Sequence, residues 1–364
     1  MAQADALTEA RIRQLDQADM RSAILSCPEQ ITHILDTYHD WKPRKPIEQH
    51  RQVVFAGMGG SAIGGDMVRI WIERYGTVPM VVLRGYEVPH WVGAETLVLA
   101  SSYSGNTEET LAAVKQANHQ GAKIVTIASG GQLAQLSQTS NWDYLNIPGG
   151  LQPRAAIGYS LAAVAVVLKG FEVLPEQLLE PLAAGAHQIS SEGKIWQDLK
   201  HRDNLPLRVA HLLIDRLPII YGAIGTTEAL AVRFRGQLAE NGKVFASHHV
   251  LPEQNHNEIV GLTERIKHRG DPVIIWLSDD DDHSRIELRR RVGGELMGIT
   301  GTSKGSPLMA YTLSGKGETL IQRNISLLHV IDWISYYVAI LGGYDPSAIE
   351  ILTKLKNEMQ QRHN

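Results

Sequence analysis

The sequence predicts an α/β protein of two similar domains, each a mostly parallel sheet flanked by helices on both faces, behind an N-terminal helical segment. Three observations lead there. Short apolar strands alternate with helices along most of the chain, the signature of a parallel sheet covered on both sides. The 364 residues exceed the roughly 100–200 of a single domain. Finally, Ala56-Gly57-Met58-Gly59-Gly60-Ser61 follows the first strand of one half, and Tyr221-Gly222-Ala223-Ile224-Gly225-Thr226 follows the first strand of the other. This weak internal repeat fits duplication of one domain type.

The elements follow in order. Residues 7–40 read as helices, with Ile12, Leu15 and Met20 at helical spacing, until Pro43 and Pro46 punctuate the chain. Gln52–Ala56 is a short apolar strand, followed by the glycine stretch and a helix to Tyr75. Strands are expected at Met80–Leu83, Thr96–Ala100, Lys123–Ala128 and Tyr144–Ile147, with helices at Glu108–His119 and Gly131–Thr139. A Gly/Pro cluster from Ile147 to Pro153 interrupts the pattern, and Gly158–Gly170 reads as a buried Ala/Val-rich helix. The division between domains is placed within Pro181–Glu192, giving segments 1–45, 46–185 and 186–364. Strands near Pro218–Tyr221, Lys243–Ala246, Pro272–Leu277, Gly298–Thr300 and Leu308–Leu313 form the second set. Helices at Thr319–Leu341 and Pro346–Gln361 end the chain.

Composition narrows the function classes. A net charge of -4 argues against nucleic acid as the partner, so an anionic ligand would be held by local groups. The single cysteine, Cys27, excludes a disulfide framework and fits a reducing compartment. The polar N-terminus lacks the apolar core of a signal peptide, and no run of 18 apolar residues suggests a membrane span, so a cytoplasmic protein is expected. The acidic run Asp279–Asp282 reads as a solvated turn before a helix, and the adjacent His248-His249 has no chelating spacing.

Two loops carry the chemistry. Gly57-Met58-Gly59-Gly60-Ser61-Ala62 lies between a strand and a helix, where glycines admit close approach and free N–H groups attract an anion. Alone it also nearly satisfies a dinucleotide fingerprint. Ser101-Ser102-Tyr103-Ser104-Gly105-Asn106-Thr107, at a second strand end, concentrates hydroxyls at a second helix N-terminus. Such donors suit a phosphate dianion, and capping accounts for one hydroxyl but not four. Glu240, in Glu240-Asn241-Gly242-Lys243, and His256, in a polar segment from Leu251 to Glu258, are suited to proton transfer.

As a set, and in this order, Gly-Met-Gly-Gly-Ser, Ser-Tyr-Ser-Gly-Asn-Thr-Glu-Glu-Thr, Pro-Arg-Ala-Ala, Glu-Asn-x-Lys and Pro-Glu-x-Asn-His-Asn-Glu resemble the bifunctional phosphoglucose/phosphomannose isomerase family of the sugar isomerase (SIS) fold, from about residue 45 to the C-terminus. The resemblance implies an aldose–ketose isomerase for glucose, mannose and fructose 6-phosphates, with no metal or nucleotide cofactor. It implies phosphate binding by Gly60, Ser61, Ser102, Ser104 and Thr107, enediolate stabilisation by Arg154, and Glu240 as the base between C2 and C1. It further implies that His256 opens the sugar ring from the neighbouring subunit of a homodimer, and that Lys356 lies near the ring oxygen, with Lys354 as the alternative register. One departure concerns mannose 6-phosphate. Some members carry a small hydroxyl residue seven positions before the C-terminal lysine; with Lys356 as anchor that position is Ile349, and with Lys354 it is Ser347.

Two rival readings remain. A non-catalytic sugar-phosphate regulator needs the hydroxyl pocket but not Glu240, Arg154, His256 and Lys356 together. A nucleotide-dependent oxidoreductase rests on the glycine stretch alone.

Overall fold

The computed structural model describes residues 7–45, 50–264, 271–299 and 308–362. Three helices, α1 (Glu9–Leu15), α2 (Met20–Leu25) and α3 (Cys27–Thr37), open the chain. Thr8 caps α1 by accepting the Arg11 N–H, and Asp16 accepts both the Met20 and Arg21 N–H groups at the start of α2.

The first sheet follows: β1 (Gln52–Gly57), α4 (Gly59–Tyr75), β2 (Met80–Leu83), β3 (Thr96–Ser101), α5 (Glu108–His119), β4 (Lys123–Ala128), α6 (Gly131–Thr139) and β5 (Asp143–Asn146). Every pairing is parallel and the strand order is β2-β1-β3-β4-β5. The near-continuous apolar runs of β1, β3 and β4 are buried on both faces, as a covered parallel sheet requires.

A turn at Pro153–Ala155 leads into α7 (Ile157–Gly170), α8 (Leu179–Trp196) and α9 (Leu205–Leu213). The second sheet comprises β6 (Leu217–Ala223), α10 (Glu228–Glu240), β7 (Ser247–Leu251), a turn at Glu253–His256, α11 (Glu258–Glu264), β8 (Pro272–Ser278), α12 (Ser284–Leu296) and β9 (Met309–Ser314), in the order β7-β6-β8-β9. The first three strands of each half are thus arranged alike, in line with the repeat read from the sequence.

The chain closes with α13 (Leu320–Gly342) and α14 (Glu350–Arg362). By length and apolarity α13 could cross a membrane, yet 89% of its most apolar window is buried inside the protein. It is the central core helix, packed on α8, α9 and α10. Thr319 and Gln322 form a reciprocal capping box at its start, and Gly343 in the left-handed region ends it.

Four expectations change. The apolar run Lys243–Ala246 is not a strand: Lys243 has φ +56° and the Val244 N–H bonds to Leu238 O, closing the end of α10, so the strand begins at Ser247. Gly298–Thr300 contributes only a bridge from Ile299 to Leu308, and Thr300 lies outside the described residues. The division at 185/186 falls inside the continuous helix α8. The acidic run is a turn before α12 with Asp280 and Asp281 exposed, but its other two carboxylates are not solvated. Asp279 is held by Arg323 at 2.8 and 3.0 Å, and Asp282 is paired with Arg290; both carboxylates are buried.

Candidate active site

In the first sheet the chain steps from β1 outward to β2, then returns to lay β3 on the other side of β1. This reversal opens a crevice beyond the carboxyl ends of β1 and β3, where ligands of such sheets bind. Gly57 pairs with Ser101, so the two sequence-predicted loops leave the sheet side by side.

At the first loop, α4 starts after Met58 with no side-chain cap, leaving its first-turn N–H groups to the crevice. Ser61 is buried in that turn. A Cβ on Gly60 would lie 3.0 Å from Pro153 O and 3.2 Å from Arg154 Cα, so only glycine lets the Pro153–Ala155 turn seat against α4 without a shift. At the second loop, Ser102 Oγ lies 2.8 Å from Thr107 Oγ1 and accepts the Gly105 N–H. Thr107 occupies the N-cap of α5 but its hydroxyl does not cap the helix. Ser104 is exposed, and its hydroxyl accepts the Asn106 N–H at 3.3 Å. A Cβ on Gly105, at φ +69°, would collide with Gly130 O, which fixes glycine there.

A cavity of about 260 Å³ lies between α4, the 153–155 turn and α10. Gly59, Gly60, Arg84, Arg154, Arg235 and Glu240 are among its lining. Arg154, only 3% exposed, is held on every side. Its Nε–H donates to Asn241 Oδ1 at 2.6 Å, Nη2 donates to the Pro346 and Ser347 carbonyls at 2.8 and 3.2 Å, and Nη1 reaches Glu240 Oε2 at 3.4 Å. Of five N–H donors in a guanidinium, these bonds occupy four and leave one on Nη1, beside the Glu240 carboxylate. Burial lowers the Arg154 pKa, partly offset by Glu240 and Asp345. The turn itself is pinned by Gln30 of α3, which donates to Ala155 O and accepts the Gly158 N–H.

Glu240 is the last residue of α10 and keeps a 35% exposed side chain. Lys243 Nζ donates to the carbonyls of Glu240, Asn241 and Asp345, fastening the end of α10 to the segment before α14. Burial, and then the Arg154 charge, lower the Lys243 pKa to about 8. A second cavity, about 460 Å³, is lined by Glu240, Lys243, Ile349 and the start of α14. Ser347 is buried, and its hydroxyl has no partner among the described residues.

The fold therefore brings Gly60, Arg154 and Glu240 to one cavity. Ser102, Ser104 and Thr107 sit at the adjoining strand end and are not among that cavity's lining. His256 ends the turn after β7, exposed, its side chain without a hydrogen bond among the described residues. Lys356 lies on α14, an exposed helix whose Ile351, Leu352, Leu355 and Met359 also face solvent. Neither residue is among the lining of the two cavities at Glu240. Sequence reasoning named Asn241 and Lys243 only as neighbours in the Glu240 motif, without a role, and passed over Gln30 and the buried Arg233–Asp332 pair beside them. A discernible signal was the polar pair Asp332 and Ser335, three apart in the otherwise apolar C-terminal half of α13 from Val330 to Gly342.

The corresponding crevice of the second sheet carries its own anions. Thr226 donates to Asp282, and Asp279 and Asp282 with their arginines fill the ends of β6 and β8. That strand end is thus already occupied by paired carboxylates and arginines.

Residues 47–147 match the SIS domain, and residues 202–359 match the bacterial phospho-glucose isomerase C-terminal SIS domain. Among solved structures, the C-terminal domain of glucosamine-fructose-6-phosphate aminotransferase from Francisella tularensis shares the fold, with a TM-score of 0.67 at 16% identity over 89% of this chain and 96% of that one. A bifunctional phosphoglucose/phosphomannose isomerase of Aquifex aeolicus is 30% identical, covering 92% of this chain and 99% of the relative. Another, from Caldicellulosiruptor bescii, is 37% identical over 94% of this chain and 99% of its own length. At that likeness across nearly the whole length, the chain belongs to the bifunctional phosphoglucose/phosphomannose isomerase family.

Proposed function

We propose that the protein interconverts glucose 6-phosphate, and also mannose 6-phosphate, with fructose 6-phosphate through a cis-enediolate. The observation that carries this reading is the Glu240 carboxylate facing the one unused N–H of a buried, fully oriented arginine. Glu240 takes the C2 proton and returns it to C1. The Arg154 N–H opposes the negative charge that develops on the enediolate oxygens, and its fixed geometry requires no reorganisation at that moment. Glucose and mannose 6-phosphates differ only at C2, which is planar in the intermediate, so one base serves both.

The phosphate is assigned to the α4 N-terminus with Gly60 and Ser61, and to the hydroxyls of Ser102, Ser104 and Thr107. Binding remote from C1 and C2 supplies orientation energy for the reacting end. Ring opening is assigned to His256, with Lys356 near the ring oxygen. Their absence from the lining of the cavities at Glu240, and the solvent-facing apolar residues of α14, favour a homodimer in which a neighbouring subunit supplies His256. A lone, buried Cys27 fits a cytoplasmic setting.

The test is conversion of fructose 6-phosphate by the purified protein, with glucose 6-phosphate and mannose 6-phosphate quantified separately. Both products are expected. Glucose 6-phosphate alone removes the phosphomannose assignment; neither product, with fructose 6-phosphate still bound, supports a non-catalytic regulator.

A further inference from the structure

The buried polar groups behind Arg154 form one directional chain. Arg154 Nε–H donates to Asn241 Oδ1 at 2.6 Å. Asn241 Nδ2 donates to Ser335 Oγ at 3.0 Å. The Ser335 hydroxyl donates to the Asp332 carbonyl at 2.7 Å. The two ends have fixed roles: a guanidinium only donates and a backbone carbonyl only accepts. Every proton between them is thereby assigned, and the Asn241 amide has one orientation. Turned over, it would set its NH₂ against the Arg154 N–H and its oxygen against a hydroxyl already donating elsewhere.

The side chain of Asp332 closes the loop. It holds Arg233 through Nε at 2.9 Å and Nη2 at 2.6 Å, and accepts from Gln237 Nε2 at 2.8 Å. Arg233 Nη2 in turn donates to the Arg154 carbonyl at 3.0 Å. One helical turn of α13 thus grips both the backbone and the side chain of Arg154 through α10. Arg154, Arg233, Asn241, Asp332 and Ser335 are all buried, 0–3% exposed, so water cannot substitute for a lost member.

We propose that Ser335 and Asn241 are positioning residues for the isomerisation: Ser335 fixes the orientation of the Asn241 amide, and that amide fixes the plane of the Arg154 guanidinium against the enediolate. This rests on the reading of Arg154 given above. The packing of α13 by itself asks only for a small side chain at position 335; the relay asks for a hydroxyl.

The experiment is a double-mutant cycle on the full-length protein, with kcat and KM for fructose 6-phosphate measured for wild type, Ser335→Ala, Asn241→Leu and the double variant, and with Arg154→Ala as reference. Ser335→Ala is expected to lower kcat by on the order of 10-fold or more, as small misplacements of catalytic groups do, with KM changed less than about threefold. In the Asn241→Leu background the same substitution is expected to leave kcat unchanged, because its route to Arg154 is already cut.

A loss of kcat equal in both backgrounds, or no loss in either while Arg154→Ala is inactive, overturns the relay alone. Full activity of Arg154→Ala overturns the underlying assignment of Arg154. Should the alanine variant not fold, Asn241→Asp decides the matter. It keeps an oxygen for Arg154 Nε and lets the Ser335 hydroxyl turn to donate, so it is expected to retain at least about tenfold more activity than Asn241→Leu. Equal activity of the two overturns the proposal.

Discussion

Arg154 and Glu240 lie 86 residues apart in sequence, on segments associated with different sheets, yet Nη1 and Oε2 meet at 3.4 Å across the wall of one cavity. The guanidinium is buried and the carboxylate half-open, so one is fixed and the other reachable by substrate. If Glu240 is the base, Glu240→Gln keeps size and hydrogen-bonding capacity but cannot take the proton. The kcat for both aldose products is expected to fall by about 10²- to 10⁴-fold, with KM within a few fold. Steady-state kinetics in the fructose 6-phosphate direction check it; a near wild-type rate removes the base assignment.

Gly60 is a steric hinge between loop and arginine. An alanine there meets backbone atoms of Pro153 and Arg154 at 3.0 and 3.2 Å, neither of which can rotate away. Gly60→Ala is expected to push the Arg154 turn outward by tenths of an ångström and lower kcat by on the order of 10- to 100-fold. The gain of about 1 kcal/mol from replacing a helical glycine offsets part of the strain, so thermal unfolding is expected to change little. Kinetics beside a melting curve separate the two effects.

His256 is exposed and does not line either cavity at Glu240, and α14 presents Ile351, Leu355 and Met359 to solvent. If a neighbouring subunit completes each site, two inactive variants should complement. Mixing Glu240→Gln with His256→Ala subunits after dissociation and reassociation is expected to restore about a quarter of wild-type activity, since half the dimers are mixed and each has one intact site. No recovery in mixed dimers demonstrated by mass would place His256 in the same chain's site or outside the reaction.

Ser347 carries a buried hydroxyl without a partner among the described residues, on the segment whose carbonyls hold Arg154. It is a candidate for the hydroxyl that Ile349 does not supply. Removing an unpaired buried hydroxyl costs little stability. Ser347→Ala is therefore expected to leave the fold and glucose 6-phosphate formation nearly intact while lowering mannose 6-phosphate formation about fivefold or more, the scale of one lost hydrogen bond. An unchanged product ratio assigns mannose turnover elsewhere.

Lys243 gives a pH signature. Burial and the Arg154 charge lower its pKa from 10.5 to about 8. Between those values the unfolded chain binds the proton and the folded one does not, so stability rises with pH through that window. Below about 8 the folded state carries the full penalty of a charged, partly buried ammonium. Relative to Lys243→Met, the wild type is expected to gain stability as pH rises from 8 to 10.5, measured by denaturant unfolding at several pH values. A difference that shrinks with pH contradicts the assignment.

Much of this architecture is legible in the residues alone. Strands buried on both faces, such as β1 and β3, need unbroken apolar runs, and helices between them need amphipathic spacing; both patterns are local. The phosphate loops are legible for the same reason, because glycines and hydroxyls at a strand end act through their own backbone. Local patterns fail where a short apolar run has two uses. Lys243–Ala246 reads as a strand, but it closes α10, with Phe245 left 82% exposed.

The sequence by itself determined the family resemblance, the two-sheet plan and the residue types available for proton transfer. Only the tertiary structure decided how those residues are held. Asp279 and Asp282 became buried ion pairs because arginines from α12 and α13 reach them. Arg154 acquired one free N–H because Asn241, Pro346, Ser347 and Glu240, all far along the chain, took the other four. A local pattern specifies an element, whereas the number of donors left on a buried guanidinium depends on every segment packed around it.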